Sequence, residues 1–201
     1  MSRKDVYRSD EWNRIDPLER ADILLVSEGV KPGATFGVKY RTNTEKVLEK
    51  LKLPYLPPRW HKSRYSYHIA MSDKTLESYL GKLMDKNLTL QQAHRAHGQF
   101  YGYPDCCIDA YVTPQIITNR NYRPRKNVFF SHVLKEYEKT NGSYPEALDY
   151  RIGVPCSVEC PEALKQSECY RDVLLEHDKE AAEELKLFNK NGSRIIKAKY
   201  L

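Results

Sequence analysis

At 201 residues, with 40% hydrophobic and 30% charged side chains, the chain has the composition of one globular domain that buries its own core without a disulfide scaffold. Lys and Arg exceed Asp and Glu by 33 to 27, a net charge of +6 that permits an anionic partner without requiring one. The longest apolar run, Ile23-Leu24-Leu25-Val26, is far short of the roughly twenty residues of a membrane span, and no apolar stretch follows the charged N-terminus, so a cytoplasmic protein is expected.

Residues 1–15 read as a loose, flexible arm. Asp16-Pro17 then supplies an N-cap and a first helical residue for a helix carrying Leu18, Ala21, Leu24 and Leu25, which Gly29 and Lys31-Pro32-Gly33 end. Thr42 to Leu53 reads as a second helix stopped by Pro54. After Pro57-Pro58 comes a loop dense in Arg, His and Tyr, within which Tyr65, Tyr67 and Ile69 alternate with polar residues as a strand would. Ser72 caps a helix through Leu76, Tyr79, Leu80 and Leu83. Thr89 and Gln92 form a capping box for the next helix, whose stripe of Leu90, Ala93, His94, His97 and Tyr101 runs to Gly102.

Pro104 begins a short helix bearing Cys106 and Cys107. A further helix is expected from Val128 to Lys139, and a short strand from Tyr150 to Val154. From Pro161, a stripe through Leu164, Leu174, Ala181, Leu185 and Phe188 predicts one long helix, followed by a basic tail over 189–201. The expected fold is α+β and helix-dominant, about six helices with a small sheet in a single domain over 16–188, with the cysteines converging at one end.

The cysteines carry the chemistry. Four of the five stand in two proline-marked knots, Tyr103-Pro104-Asp105-Cys106-Cys107 and Pro155-Cys156-Ser157-Val158-Glu159-Cys160-Pro161. A residue before proline is driven out of the helical region, and proline itself favours the first helical position. Cys106 therefore falls in the first turn of one helix and Cys160 at the N-cap of another, where thiolates are easier to form. Successive helical residues lie roughly 100° apart. Cys107 shares its side with Ile108 and Tyr111 and is the core thiol, and Cys106 is the flanking, reactive one.

In a reducing compartment such clusters serve metal binding or thiol chemistry more than disulfides. Cys106, Cys107, Cys156 and Cys160 make a complete set for zinc or for an iron–sulfur cluster, with His97, or His94 one turn away, able to replace one of them. The alternative within the same residues is a thiol redox or thiol-transfer enzyme, Cys106 attacking and Cys156 or Cys160 resolving. A nucleophile pair of Cys106 with His97 or His132, oriented by Asp105 or Asp109, is a further arrangement. The bland reading, burial as small hydrophobes, suits Cys169 inside the long helix.

Gly102-Tyr103-Pro104-x-Cys106-Cys107, together with Pro155-Cys156-Ser157-x-x-Cys160 and Lys31-Pro32-Gly33-Ala34, resembles a mainly archaeal family that carries a domain of unknown function. The resemblance implies a prokaryotic, cytoplasmic protein in which the cysteine knots have a functional role. It implies no activity or cofactor.

Two further segments interleave cations with aromatics: Arg59, Trp60, Lys62 and Arg64 in the first, and Arg120, Tyr122, Arg123, Arg125 and Lys126 in the second. Phosphates are met by the first kind of residue and bases by the second, so an RNA-binding module stapled by its cysteines is a third reading, against the plainer one of solvated loops. A phosphate-cradling glycine loop is not expected, since Gly29, Gly33 and Gly37 follow a helix and no Gly-Lys-Ser/Thr occurs.

Overall fold

Short polar caps start most of the helices. In the computed structural model, which describes residues 2–38, 41–57, 59–61, 64–112, 145–151 and 155–200, Ser2 and Ser9 cap α1 (Arg3–Val6) and α2 (Asp10–Asn13). Asp16 caps α3 (Pro17–Ser27), its carboxylate accepting from the Leu18 N–H at 3.0 Å. There follow β1 (Gly33–Val38), α4 (Arg41–Leu51), β2 (Arg59–His61), β3 (Arg64–Ala70), α5 (Asp73–Met84), α6 (Leu90–Phe100) and α7 (Asp105–Val112). A 3-10 turn (Glu146–Tyr150), α8 (Pro161–His177) and α9 (Lys179–Tyr200) complete the order. The fold is α+β and helix-dominant as expected, with nine α-helices among the described residues rather than about six.

The three strands form an antiparallel sheet in the order β1-β3-β2. Ala34 pairs with Ile69 and Phe36 with Tyr67, and this face packs into the main core with Ile23, Leu24 and Leu25 of α3, Tyr170 and Leu174 of α8, and Ala181, Ala182 and Leu185 of α9. On the opposite face a smaller cluster of Ala70, Leu76, Tyr79 and Phe100 seats α5 and α6. β1 escaped the sequence reading because its two glycines read as turn residues. β2 was read as part of a loop held by Pro57-Pro58, yet its three residues pair with Arg64, Tyr65 and Ser66.

Four further expectations are corrected. The segment before Asp16 is not loose: Val6, Tyr7, Trp12 and Ile15 are buried in the main core. Each of its helices is a single turn, too short for any apolar period to register, and is held by tertiary packing. The expected long C-terminal helix is two, broken at Asp178. Asp178 leaves the helical region (φ −153°, ψ 87°), and its carboxylate accepts from the Ala181 N–H at 3.0 Å and from Trp12 Nε1 at 2.8 Å, with Arg20 Nε at 3.3 Å. The apolar stripe continues across the break, which is why periodicity did not reveal it. Helix α9 also runs through the expected tail, and Asn189 is buried there, donating to the carbonyls of Asp149 and Arg151 at 2.7 and 2.9 Å. Tyr150 closes the 3-10 turn instead of starting a strand, and residues 152–154 and the expected Val128–Lys139 helix lie outside the described residues.

Trp12 ties the N-terminal helices to the α8–α9 junction. Trp12→Ala is expected to lower stability by about 3–5 kcal/mol in urea denaturation, the usual cost of truncating a buried indole. A change below about 0.5 kcal/mol, the range of ordinary surface substitutions, would mean that the segment does not pack.

Candidate metal centre

The turn that delivers the first knot is fixed before any sulfur is considered. Helix α6 ends at Gly102, whose φ of +75° is a left-handed conformation that disfavours side chains. Gly102 N–H bonds the Gln99 carbonyl at 3.1 Å and Tyr103 N–H the Gly98 carbonyl at 2.9 Å, the paired closure of a glycine-terminated helix. A side chain at Gly102 would also meet Pro32 Cδ at 2.7 Å, and Gln166 of α8 donates to the Gly102 carbonyl. One turn earlier, a Cβ on Gly98 would lie 2.7 Å from Ile108 Cγ1, so its absence lets α7 close onto α6.

Pro104 then starts α7, with the Cys107 and Ile108 amides bonding its carbonyl at 2.9 and 3.0 Å. Cys106 is exposed and Cys107 buried, the division expected from their angular separation. On the other side, Cys160 is the N-cap of α8 ahead of Pro161, and Cys156 lies in the preceding turn, which the Cys160 N–H closes onto the Ser157 carbonyl at 3.3 Å. Both knots therefore present helix N-termini to one point.

The four sulfurs meet there. Cys106 Sγ lies 3.5 Å from Cys160 Sγ and 4.0 Å from Cys107 Sγ, and Cys107 Sγ lies 3.8 Å from Cys160 Sγ. With Cys156 included, all four lie within 4.8 Å of one another and none is disulfide-bonded. Cys156 N–H donates to Cys107 Sγ at 3.3 Å. Leu148 of the 3-10 turn and Ala163 of α8 pack beside Cys107 and Cys160, a contact the sequence reading missed because its only signal was Pro145 opening a helical turn.

Burial pushes the Cys107 thiol well above its ordinary pKa and raises Cys156 to about 11. Cys160 is shifted the other way. Burial alone would raise it, but the Ala163 amide, without forming a capping hydrogen bond, and the neighbouring thiols of Cys106, Cys156 and Cys107 together hold it below its usual value. Burial thus opposes ionisation at Cys107 and Cys156 while the contacts at Cys160 favour it, and a cation among the sulfurs would take the place of their protons.

The sulfurs form this group without either histidine. His97 Nδ1 is 2.8 Å from the Tyr79 hydroxyl, and His94 packs edge-on against Tyr111 with ring centroids 5.5 Å apart. Asp109 is ion-paired with Arg95. Cys169, expected as a buried thiol, is exposed on α8 and stands outside the cluster. Of the basic-aromatic residues, Arg59 and Trp60 fall on β2 and Arg64 on β3. Lys62, Arg120, Tyr122, Arg123, Arg125, Lys126 and His132 lie outside the described residues.

Cys169→Ser is expected to change stability by no more than about 0.5 kcal/mol, the range of ordinary surface substitutions. Cys160→Ser, measured in the same thermal melts, should lower Tm by several degrees, and equal effects would remove Cys160 from the cluster.

No protein-family model, no curated protein and no solved structure matches this chain.

Proposed function

We propose that the chain is a zinc-binding protein in which Cys106, Cys107, Cys156 and Cys160 hold one tetrahedral ion. The observation that carries this reading is the spacing of the sulfurs. Four thiolates about 2.3 Å from a single zinc ion lie about 3.8 Å from one another, against 3.5, 3.8 and 4.0 Å among Cys106, Cys107 and Cys160, with the Cys156 sulfur within 4.8 Å of each. A cubane iron–sulfur cluster holds its cysteine sulfurs farther apart than a single ion does, because four irons stand between them. The spacing thus favours one ion over a cluster, and between single ions the affinity order at a thiolate site favours zinc over ferrous iron.

A shell closed by four protein ligands leaves no position for substrate, so the ion's role is structural: it joins the α6–α7 corner to the start of α8. Its binding must displace protons, at least from Cys107 and Cys156. Affinity is therefore expected to rise with pH across the neutral range, by roughly a hundredfold per unit when two protons leave. Titration with zinc or cobalt should saturate at one equivalent, cobalt giving the intense visible bands of a tetrahedral thiolate site. Saturation at several irons with sulfide, or no binding at all, would refute the reading.

The metal-free protein carries the opposite pH signature. A thiol whose folded pKa exceeds its unfolded one stabilises the fold while both states are protonated, and that contribution is lost as pH rises between the two values. Removing the metal should therefore make stability fall from about pH 9, the ordinary value for Cys156, to about 11, its value in the fold. Holoprotein denatured over the same range should show no such loss.

A second reading, thiol exchange by Cys106, is favoured by one observation: the exposed thiol lies 3.5 Å from the Cys160 sulfur. In this case Cys106 would attack a substrate disulfide and Cys160 would resolve the mixed disulfide, two electrons passing to the substrate. Turnover of a model disulfide by metal-free protein but not by holoprotein would favour it over the structural ion.

A further inference from the structure

Among the described residues, one side of the sheet packs into the main core. On its second side α5 and α6 close over the end at Ala70. Beyond that end the same face continues with Thr35 opposite His68 and Gly37 opposite Ser66, all half-buried. Strand alternation and the β2–β3 register carry it on through the positions of Arg59, His61 and Arg64. Helix α6 borders this floor with His97 and Tyr101, both half-buried, whose rings lie 6.2 Å apart at an interplanar angle of 14°.

These planes are held from beneath. Tyr101 Oη donates to Thr35 Oγ1 at 3.2 Å, and Thr35 Oγ1 is 2.9 Å from His68 Nδ1. Tyr79, buried, holds His97 through its hydroxyl at 2.8 Å from Nδ1. Burial lowers the His97 pKa, so its ring stacks as a neutral plane near pH 7. No carboxylate residue stands at any of the face positions just named, and the floor between the planes and the cationic positions is made of the small residues Gly37 and Ser66.

We infer that this face binds single-stranded nucleic acid, bases stacking against the His97–Tyr101 border and phosphates running toward Arg59 and Arg64. Fixed aromatic planes beside a cationic track are what an unpaired strand needs, because every base has a stacking face and every linkage a negative charge. A duplex hides its base faces and gains only the charge term. The inference does not rest on the metal reading, although α6 serves both sites.

The test is fluorescence anisotropy with labelled twelve-nucleotide RNA and DNA single strands and the matching duplex, using the 201-residue protein with and without one equivalent of added zinc at several salt concentrations. Single strands of either sugar are expected to bind more tightly than the duplex. Arg59→Ala with Arg64→Ala should weaken binding at least tenfold and reduce the log–log salt slope by about 1.4, at roughly 0.7 per lost phosphate contact. Tyr101→Leu should weaken it by about 5- to 100-fold with the salt slope unchanged, the signature of lost stacking. Lys4→Ala, remote on α1, should match the wild type.

Circular dichroism and zinc content confirm that each variant is folded, and the arginine pair tests the face independently should Tyr101→Leu fail to fold. Duplex binding as tight as single-strand binding, or an arginine variant equal to wild type, would overturn the inference. Displacement by polyglutamate at equal charge would overturn it too and assign the face to an acidic protein. Absent single-strand binding with a full equivalent of zinc retained would refute this inference and leave the metal reading standing.

Discussion

Two helix starts bring four thiols within 4.8 Å of one another, and the rest of the structure is arranged about that convergence. Neutral thiols bond one another weakly, and burial opposes charge at Cys107 and Cys156. Yet the arrangement is over-determined by proline, glycine and capping contacts that have nothing to do with sulfur. If the four sulfurs hold an ion as proposed, those backbone constraints preorganise its ligands. The chain closed there is long: Cys107 and Cys156 are 49 residues apart. Clipping a loop of that length restricts the unfolded chain by about 4 kcal/mol in the chain-entropy treatment used for disulfides. The apolar cluster at the same point is small, essentially Cys107, Leu148, Cys160 and Ala163, so the ion would supply much of what joins α7 to α8.

Helix α6 contributes to both ends of the molecule. Its C-terminal closure at Gly102 sets the direction of α7 and hence of Cys106 and Cys107, while its middle carries His97 and Tyr101 to the border of the sheet. Phe100 between them is stacked on Tyr79 at 3.8 Å and pins α6 to α5 and the sheet end. Next to the closure Tyr103 is half-buried, its hydroxyl pushed up to about 12 by desolvation, and Tyr170 lies beneath Gly102 with its hydroxyl 3.5 Å from where a Cβ would stand. The same helix therefore positions both the first cysteine pair and the aromatic border.

What the sequence disclosed was whatever is decided locally. Asp16-Pro17, Ser72 and the Thr89–Gln92 box each announced a helix start, and all three cap as read. The cysteine knots were legible for the same reason, because proline acts on its immediate neighbours and an angle of roughly 100° per residue separates Cys106 from Cys107. What stayed hidden depends on distant partners. Trp12 looks like an aromatic in a polar arm until Asp178 receives its N–H, and Asp178 looks like one more helical carboxylate until Trp12 and Arg20 reach it. Strand β2 has three residues and no alternation of its own, so only its pairing to β3 defines it.

The division between the two adjacent cysteines has a chemical consequence for the centre as a whole. Cys107 faces Leu148 and Ala163 and accepts the Cys156 N–H, so its sulfur is shielded and already bonded within the fold. Cys106 stands at the solvent edge of the same group. If the four sulfurs hold an ion as proposed, an attacking thiol, a chelator or an oxidant would meet Cys106 first, while Cys107 and Cys160 stay buried and Cys156 half-buried. Ligand exchange would then start from one corner, which would separate how tightly the ion is bound from how readily one of its ligands reacts.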